Sequence, residues 1–314
     1  MPESKHKNTR RSFLKELGLL TSGLALPVFP GTGWKVAKVK TTGPLHRILS
    51  CNIRVALPED EAKGFGWNRR REVCAGIIRK QHPDIVCLQE TIRVQVDDLR
   101  NYFPDFTFFG FKGPEMDRFP SGYHWIAKNV IMYSEKRYEL VSAGCYWLSE
   151  TPYLGGSKSW GTARARHVNW IRIRDKSSSK EFRILDTHLD HISQDARMKQ
   201  TELILSESGQ YTGEFPQVLG GDFNSDSENP VIRMIIAQDW KDSWSEVHGT
   251  SDPGFTYHGF LGPDKPQETG ANKKIDFIFS RGNIAVKRSG IIRDSMNGLY
   301  PSDHYFISAD FELT

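Results

Sequence analysis

Five strand-like apolar runs in this 314-residue chain carry a carboxylate, amide or histidine at one end. They place Asn52 after "HRILSC", Glu90 in "LQE", His188 in "DTHL", Asp222 and Asn224 in "GGDFN", and Asp303 with His304 in "SDH". Asp276, in "KIDFIF", adds a sixth group inside its own run. Each alone reads as a turn or a strand cap; Asp222 could simply begin a turn after Gly220 and Gly221. In series they constrain the fold, because buried strands that all end in polar groups need a scaffold that gathers those ends.

The remaining elements agree. "HRILSCNIRV" (46–55) reads as a buried strand, and residues 67–81 space Val73, Ile77 and Ile78 as a helix that Pro83 ends. "DIVCLQE", "FTFFGFK" and "NVIMYS" read as strands, and 167–175 with 181–189 as a hairpin around Lys176–Lys180. Residues 195–208 and "PVIRMIIAQ" read as helices, Pro230 being tolerated in a first turn. "KKIDFIFS" and "DHYFISADFEL" close the chain as strands. Many strands with a few helices predict two sheets packed face to face and covered by helices. Hydrophobic residues at 38% and charged residues at 25% suit a globular protein, and no apolar run is long enough to cross a bilayer.

"LQE", "THL", "GDFN", "IDFIF" and "SDH", following a strand that ends in Asn52, resemble the motif series of the endonuclease/exonuclease/phosphatase family over about residues 46–312. The resemblance implies a DNase I-like α/β fold, a four-layer α/β/β/α sandwich of two mixed sheets flanked by helices. It implies phosphoester hydrolysis with a divalent cation, Mg²⁺ or else Mn²⁺, and oxygen ligands suit so hard an ion. Glu90 and Asp303 match the metal positions, with Asn52 beside them. Asp222 matches the residue that orients or deprotonates the attacking water, and Asn224 an amide donor to the phosphate. His304 would contact a phosphate oxygen with Asp276 fixing its tautomer, and His188 would stand near the leaving group. Arg166 matches an arginine that faces the phosphate, although Arg164 shares its strand face and could take that place. Thr256 and His258, in "FTYHGF", would lie near the cleft as substrate contacts; a loop histidine packed on Tyr257 or Phe260 is the equal alternative for His258. Asp190 and His191 are open between a substrate rim and a helix entry, and Asp186 is assigned to structure. The chain departs from the family where relatives carry a glutamate that orients the histidine of "THL": here Ala127 and Lys128 occupy that stretch.

The N-terminus is read apart from the fold. Arg10 and Arg11, followed by a short apolar region with Gly18, Gly23 and Ala25, resemble a twin-arginine export signal. The domain expectation is a signal over 1–30, a linker over 31–45 and a catalytic domain over 46–314, acting in the periplasm or outside the cell. Residues 1–30 hold five of the 42 basic and two of the 38 acidic residues, so the formal charge falls from +4 to +1 without them. A near-neutral chain lacks the basic surplus of a protein that tracks long nucleic acid. Cys51, Cys74, Cys87 and Cys145 show no metal-like spacing; for Cys51 and Cys87, in apolar strand-like runs, a buried free thiol is the plainer reading, and a disulfide in an oxidising compartment is the open alternative. The expected substrate is a small phosphoester or nucleic-acid fragment, with diesters slightly ahead of monoesters. The expected state is a monomer without a protein partner or stable membrane insertion. The competing activities are a secreted nuclease and, more weakly, a lipid phosphodiesterase or a binding protein on the same scaffold.

Overall fold

Ile48 in β1 (His46–Asn52) packs between two sheets, whereas its neighbours Leu49 and Cys51 pack against helices. β2 (Ile85–Thr91) repeats the pattern, with Ile85 and Cys87 facing inward and Val86 and Leu88 outward. Both faces are covered, which is why these strands are apolar without alternation. The computed structural model describes residues 45–110, 127–264 and 273–314. The export-type segment 1–30, the linker to residue 44, residues 111–126 and residues 265–272 lie outside the described residues. Contacts divide the chain into Met1–Lys40 and Thr41–Thr314, and every described residue belongs to the second unit.

Among the described residues, each sheet has six strands. The first joins β1 and β2 to β3 (Phe106–Phe109), β4 (Lys128–Ser134), β11 (Ile284–Ile292) and β12 (Phe306–Leu313), in the order β11-β12-β1-β2-β4-β3. The second contains β5 (Tyr138–Trp147), β6 (His167–Asp175), β7 (Glu181–His188), β8 (Gln217–Asp222), β9 (Lys241–Asp242) and β10 (Asp276–Arg281), in the order β5-β6-β7-β8-β10-β9. Each is mixed: β1 and β2 are parallel, as are β7 and β8, and the other pairs are antiparallel. Ile48, Ile131, Phe182, Ile184 and Phe311 belong to the apolar layer between the sheets. Outside the first sheet lie α2 (Trp67–Lys80) and α3 (Arg93–Tyr102), burying Ile77, Ile78 and Leu99. Outside the second lie α4 (Gln194–Ser208) and α5 (Pro230–Ile236), burying Ile204, Ile232 and Ile235 beneath Leu185 and Leu219. The two-sheet sandwich flanked by helices is the architecture the strand pattern predicts.

Several elements escaped the sequence pattern. α1 (Pro58–Ala62), α3, β5, α6 (Ser243–His248) and β11 were not anticipated. β5 is exposed over Glu139–Ser142 and β11 lacks full burial, so neither carries a strong apolar signal. β1 ends at Asn52 instead of running to Val55, because Arg54 adopts φ +54°. All four cysteines are free, and Cys51, Cys74 and Cys87 are buried.

Candidate active site

Strand register assembles the site. His188 is the parallel partner of Asp222, and Asp222 is the antiparallel partner of Asp276, so three polar groups lie in one row across β7, β8 and β10. The two glycines before Asp222 make that row possible: a Cβ on Gly221 would lie 2.2 Å from the Thr187 carbonyl oxygen. On the facing sheet, Asn52 pairs with Gln89, which leaves Glu90 one residue beyond the paired end. The pairing of β2 with β4 shifts between Leu88 and Thr91, and Glu90 sits in that bulge at φ +60°. A bulge re-aims a side chain, and here it turns Glu90 into the cleft.

Asn52 ties the two sheets together. Its Nδ2 donates to Glu90 Oε1 at 3.1 Å and to Asp222 Oδ2 at 3.0 Å, while its Oδ1 accepts from the Arg54 N–H at 3.0 Å. The amide therefore turns its nitrogen to the carboxylates and spends its oxygen on backbone. It orders the acids, and its oxygen is held by the backbone. The Val55 N–H holds Glu90 Oε2 at 3.1 Å, and the Asn224 N–H holds Asp222 Oδ1 at 2.9 Å. His304 Nδ1 lies 3.0 Å from Asp276 Oδ2, and its Nε2 lies 3.8 Å from Asp222 Oδ2. Asp303 is 3.3 Å from Arg54 Nη1, and Arg54 also binds Asp60 through Nε at 2.8 Å.

Electrostatics follow from this crowding. Burial, then the neighbouring Asp276, pushes Asp222 up to about 7. Burial and the Glu90 charge raise Asp303. Burial would raise Glu90 too, yet the His304 charge and the Val55 N–H hold it below the usual carboxylate range. Burial would lower His304, yet its pairing with Asp276 raises it to about 10. Asp222, Asp276 and His304 bring ligand-type atoms within 4.8 Å of one another. Asp276 is already committed to His304 there, so the carboxylates with the stronger claim on a cation are Glu90 and Asp303. Closely placed oxygen donors, Asp303 buried and Glu90 half-buried, fit a hard divalent cation.

A basic wall faces the acids. Arg54, Arg164, Arg166 and His191 line the same cleft, whose volume is about 260 Å³, together with Glu90, His188, Asp222, Asn224, Asp303 and His304. Asp190 lies behind the wall and accepts four hydrogen bonds, from Thr162 Oγ1, Ala163 N, Ile192 N and Ser193 N. It staples segment 162–166 to segment 190–193, which accounts for the "DH" that follows "THL". Thr256 and His258 do not reach the cleft: both are fully buried, and Tyr257 between them lines it. In an extended segment neighbouring side chains point to opposite sides, so placing one outward sends the flanking pair inward. Thr256 Oγ1 instead accepts from the Ile275 and Asp276 N–H groups, and the His258 N–H donates to the Asp303 carbonyl. Tyr257 and Arg54 are the cleft residues that sequence reasoning missed, and only the in-out alternation around residue 257 could have signalled the first.

His188 reflects the departure at residues 127–128. Its Nε2 is 3.0 Å from Asn224 Nδ2 and 3.4 Å from Asp222 Oδ2, but its buried Nδ1 has no hydrogen-bond partner among the described residues. Ala127 and Lys128 occupy the stretch where the resemblance leads one to expect an orienting acid. Burial, with Arg166 and His304 nearby, depresses His188 well below the ordinary histidine value. It is a neutral imidazole here.

A two-sheet sandwich that gathers carboxylates, amides, histidines and arginines at one end of its strands defines a class of phosphoester-cleaving proteins. The profile of the endonuclease/exonuclease/phosphatase family matches residues 49–304, and the chain belongs to that family. It is similar to an endonuclease/exonuclease/phosphatase from Bacteroides vulgatus, at 28% identity and TM-score 0.76, covering 86% of this chain and 99% of that one. A mannosyl-6-phosphatase from Bacteroides thetaiotaomicron is 25% identical with TM-score 0.75, covering 85% and 99%. TDP2 from D. rerio, complexed with a single-strand DNA product, shares the fold at 17% identity and TM-score 0.65, covering 85% and 99%.

Proposed function

We propose that the chain hydrolyses phosphoester bonds with a divalent cation, Mg²⁺ or Mn²⁺, and that it acts as a monomer outside the cytoplasm. One observation carries the catalytic reading. Asp222 lies within reach of Asn52, the Asn224 N–H, His188 and His304, at the meeting point of an acidic and a basic wall. Glu90 and Asp303 would hold the cation, which when bound polarises a phosphoryl oxygen and neutralises charge that develops on it.

The chain's own groups do the rest. Asp222, pushed up to about 7, is poised to take a proton from the attacking water and to release it again. Asn52 and the Asn224 N–H fix its two oxygens, so the one nearer the cleft is aimed. His304 keeps its proton because Asp276 stands behind it, and donates through Nε2 to a phosphate oxygen. Arg166 supplies a fixed positive charge on the opposite wall. Neutral His188 accepts from Asn224 Nδ2 through its Nε2, so it has no proton there for a leaving group, and the other Asn224 Nδ2 hydrogen goes to the Leu189 carbonyl.

The relatives named above include a sugar phosphatase and a protein holding a DNA product, and the reaction proposed here is common to both chemistries. Purified protein assayed with Mg²⁺, Mn²⁺ and EDTA on a phosphomonoester and a phosphodiester tests it. Asp222→Asn is expected to lower turnover by about 10²- to 10⁴-fold without loss of folding. Wild-type turnover that ignores EDTA, or undiminished activity in the Asp222→Asn variant, sinks the reading.

A further inference from the structure

Arg69, Arg70 and Arg71 follow one another in α2, and the middle one alone is fully buried. Helical spacing puts Arg70 on the face of Trp67, Val73, Cys74 and Ile77, which packs on the first sheet. Taking a guanidinium out of water into such a stripe is costly unless its donors are met. Here backbone meets them. Nε donates to the Phe65 carbonyl at 2.6 Å, Nη1 to the Ile53 and Pro301 carbonyls at 2.8 Å each, and Nη2 to the Arg54 carbonyl at 2.9 Å. Four of the five N–H groups of a guanidinium are thereby used. The Trp67 and Phe260 rings lie 5.5 and 5.4 Å from its central carbon.

Three of these carbonyls belong to segments that carry or hold the carboxylates assigned to the cation. Ile53 and Arg54 follow Asn52, and the next residue, Val55, donates its N–H to Glu90 Oε2 at 3.1 Å. Pro301 stands two residues before Asp303, whose own carbonyl accepts from the His258 and Gly259 N–H groups at 2.8 and 3.0 Å. The fourth carbonyl is that of Phe65, whose ring stacks at 4.6 Å on Phe260, the residue after Gly259. One planar fork thus joins the segment behind Glu90 to the segment that carries Asp303. Strand pairing has stopped on both sides, since β1 ends at Asn52 and β12 begins at Phe306. Gln95 Nε2 also reaches the Arg54 carbonyl, at 2.9 Å, but its oxygen goes to the Ala56 and Ile92 N–H groups and not to the Asp303 segment. Burial raises Asp303, and the charges of His304, Arg54 and Arg70 oppose that rise. A lysine would supply the charge without the four directed bonds.

Building on the phosphoester-hydrolase reading, we propose that Arg70 is a positioning residue for the divalent cation: its guanidinium fixes the spacing between Glu90 and Asp303, so that the pair presents its oxygens at one separation. Arg70 does not line the cleft, and it acts through the backbone it holds. Donors set in advance lose less freedom when an ion binds. The loss of Arg70 is therefore read in affinity for the cation, while affinity for the ester is spared.

The test titrates wild type, Arg70→Lys and Arg69→Met with Mn²⁺ in the absence of substrate, reading free Mn²⁺ by electron paramagnetic resonance and following thermal unfolding alongside. Arg70→Lys is expected to weaken Mn²⁺ binding by about 10- to 100-fold. The Mg²⁺ concentration that gives half-maximal cleavage of p-nitrophenyl phosphate or bis-p-nitrophenyl phosphate should rise in step. At saturating Mg²⁺ the ester KM should change by less than about twofold and most of kcat should return. Arg69→Met, at an exposed neighbour, should bind Mn²⁺ as wild type does. A role in folding alone lowers the melting temperature of Arg70→Lys and leaves Mn²⁺ affinity per folded molecule unchanged, and that result overturns the proposal. Wild type gives a second measurement that no folding defect can obscure. Saturating Mg²⁺ is expected to slow hydrogen–deuterium exchange in the α2 turn around Arg70 as well as in residues 52–57. Protection that stops short of α2 overturns the proposal even where Arg70→Lys does not fold. Each of these results leaves the hydrolase reading standing, whereas a wild-type protein that binds neither Mn²⁺ nor Mg²⁺ overturns both.

Discussion

His46 sits among Tyr138, Phe182 and Phe311 with its Nδ1 2.8 Å from the Tyr138 hydroxyl, and burial together with the Arg137 charge pushes it down to about 3. His167 is pushed to about 3 as well, by burial and by Arg166, while its Nε2 accepts from the Asn129 N–H. Unfolded histidine titrates near 6.5. Above that value both states are neutral and the burial is harmless; below it the unfolded chain gains protons that the native state refuses. Stability is therefore expected to fall as pH drops from 6.5 toward 3, by up to about 1.4 kcal/mol per pH unit for each histidine. Urea unfolding at pH 7.5, 6.5, 5.5 and 5.0 checks this, and His46→Gln should flatten the slope by close to one proton. An unchanged slope in that variant would mean His46 is not one of the groups responsible.

The paired ends of β7 and β8 set the positions of His188 and Asp222, and Gly221 sets the closeness of that pair. Gly221→Ala places a methyl group 2.2 Å from the Thr187 carbonyl, which backbone cannot yield without parting the strands. A loss of about 2–4 kcal/mol is expected, together with a fall in turnover larger than the stability loss explains, because Asp222 moves with the strand. Denaturant midpoints and kcat measured on the folded fraction separate the two effects. A variant as stable and as active as wild type would show that β8 can shift freely. The bulge at Glu90 belongs to the same level of organisation: "LQE" announced the carboxylate, but only pairing with β4 reveals the register shift that aims it. Likewise "FTYHGF" announced a polar loop near the site, while the side of the chain that Tyr257 faces depended on the segment packing beside His304.

Between the sheets, Gln89 of β2 donates to Asp186 of β7 at 2.7 Å, one residue below Glu90 on one side and two below His188 on the other. Burial raises Asp186 far above the usual carboxylate range, so it is a neutral acid that links the halves of the sandwich. Asp186→Asn keeps the shape and the acceptor and is expected to change stability by less than about 1 kcal/mol, whereas Asp186→Ala should cost about 2–3 kcal/mol. Chemical denaturation of both variants decides; equal losses would mean that Asp186 is held as a charge. For the whole chain, the Arg10–Arg11 leader is proposed to direct export. Replacing both arginines by lysine should leave unprocessed protein in the cytoplasm of an expressing cell, and cell fractionation by immunoblot reads the outcome. Unimpaired export would remove the twin-arginine assignment.

The pattern of many apolar strands with a few helices determined the two-sheet layering, because each strand has to bury both faces, and the order of "LQE", "THL", "GDFN", "IDFIF" and "SDH" narrowed it by resemblance to the endonuclease/exonuclease/phosphatase family. That order also named Glu90, Asp222, Asn224, Asp303 and His304, which the structure brings to one cleft. It did not show that Asn52 turns its nitrogen to the acids, that Asp190 fastens the wall carrying Arg164 and His191, or that Arg54 leans on Asp303. Those facts depend on side-chain direction between segments far apart in the chain. Periodicity records which residues are buried, whereas distances across two sheets exist only once the sheets have packed.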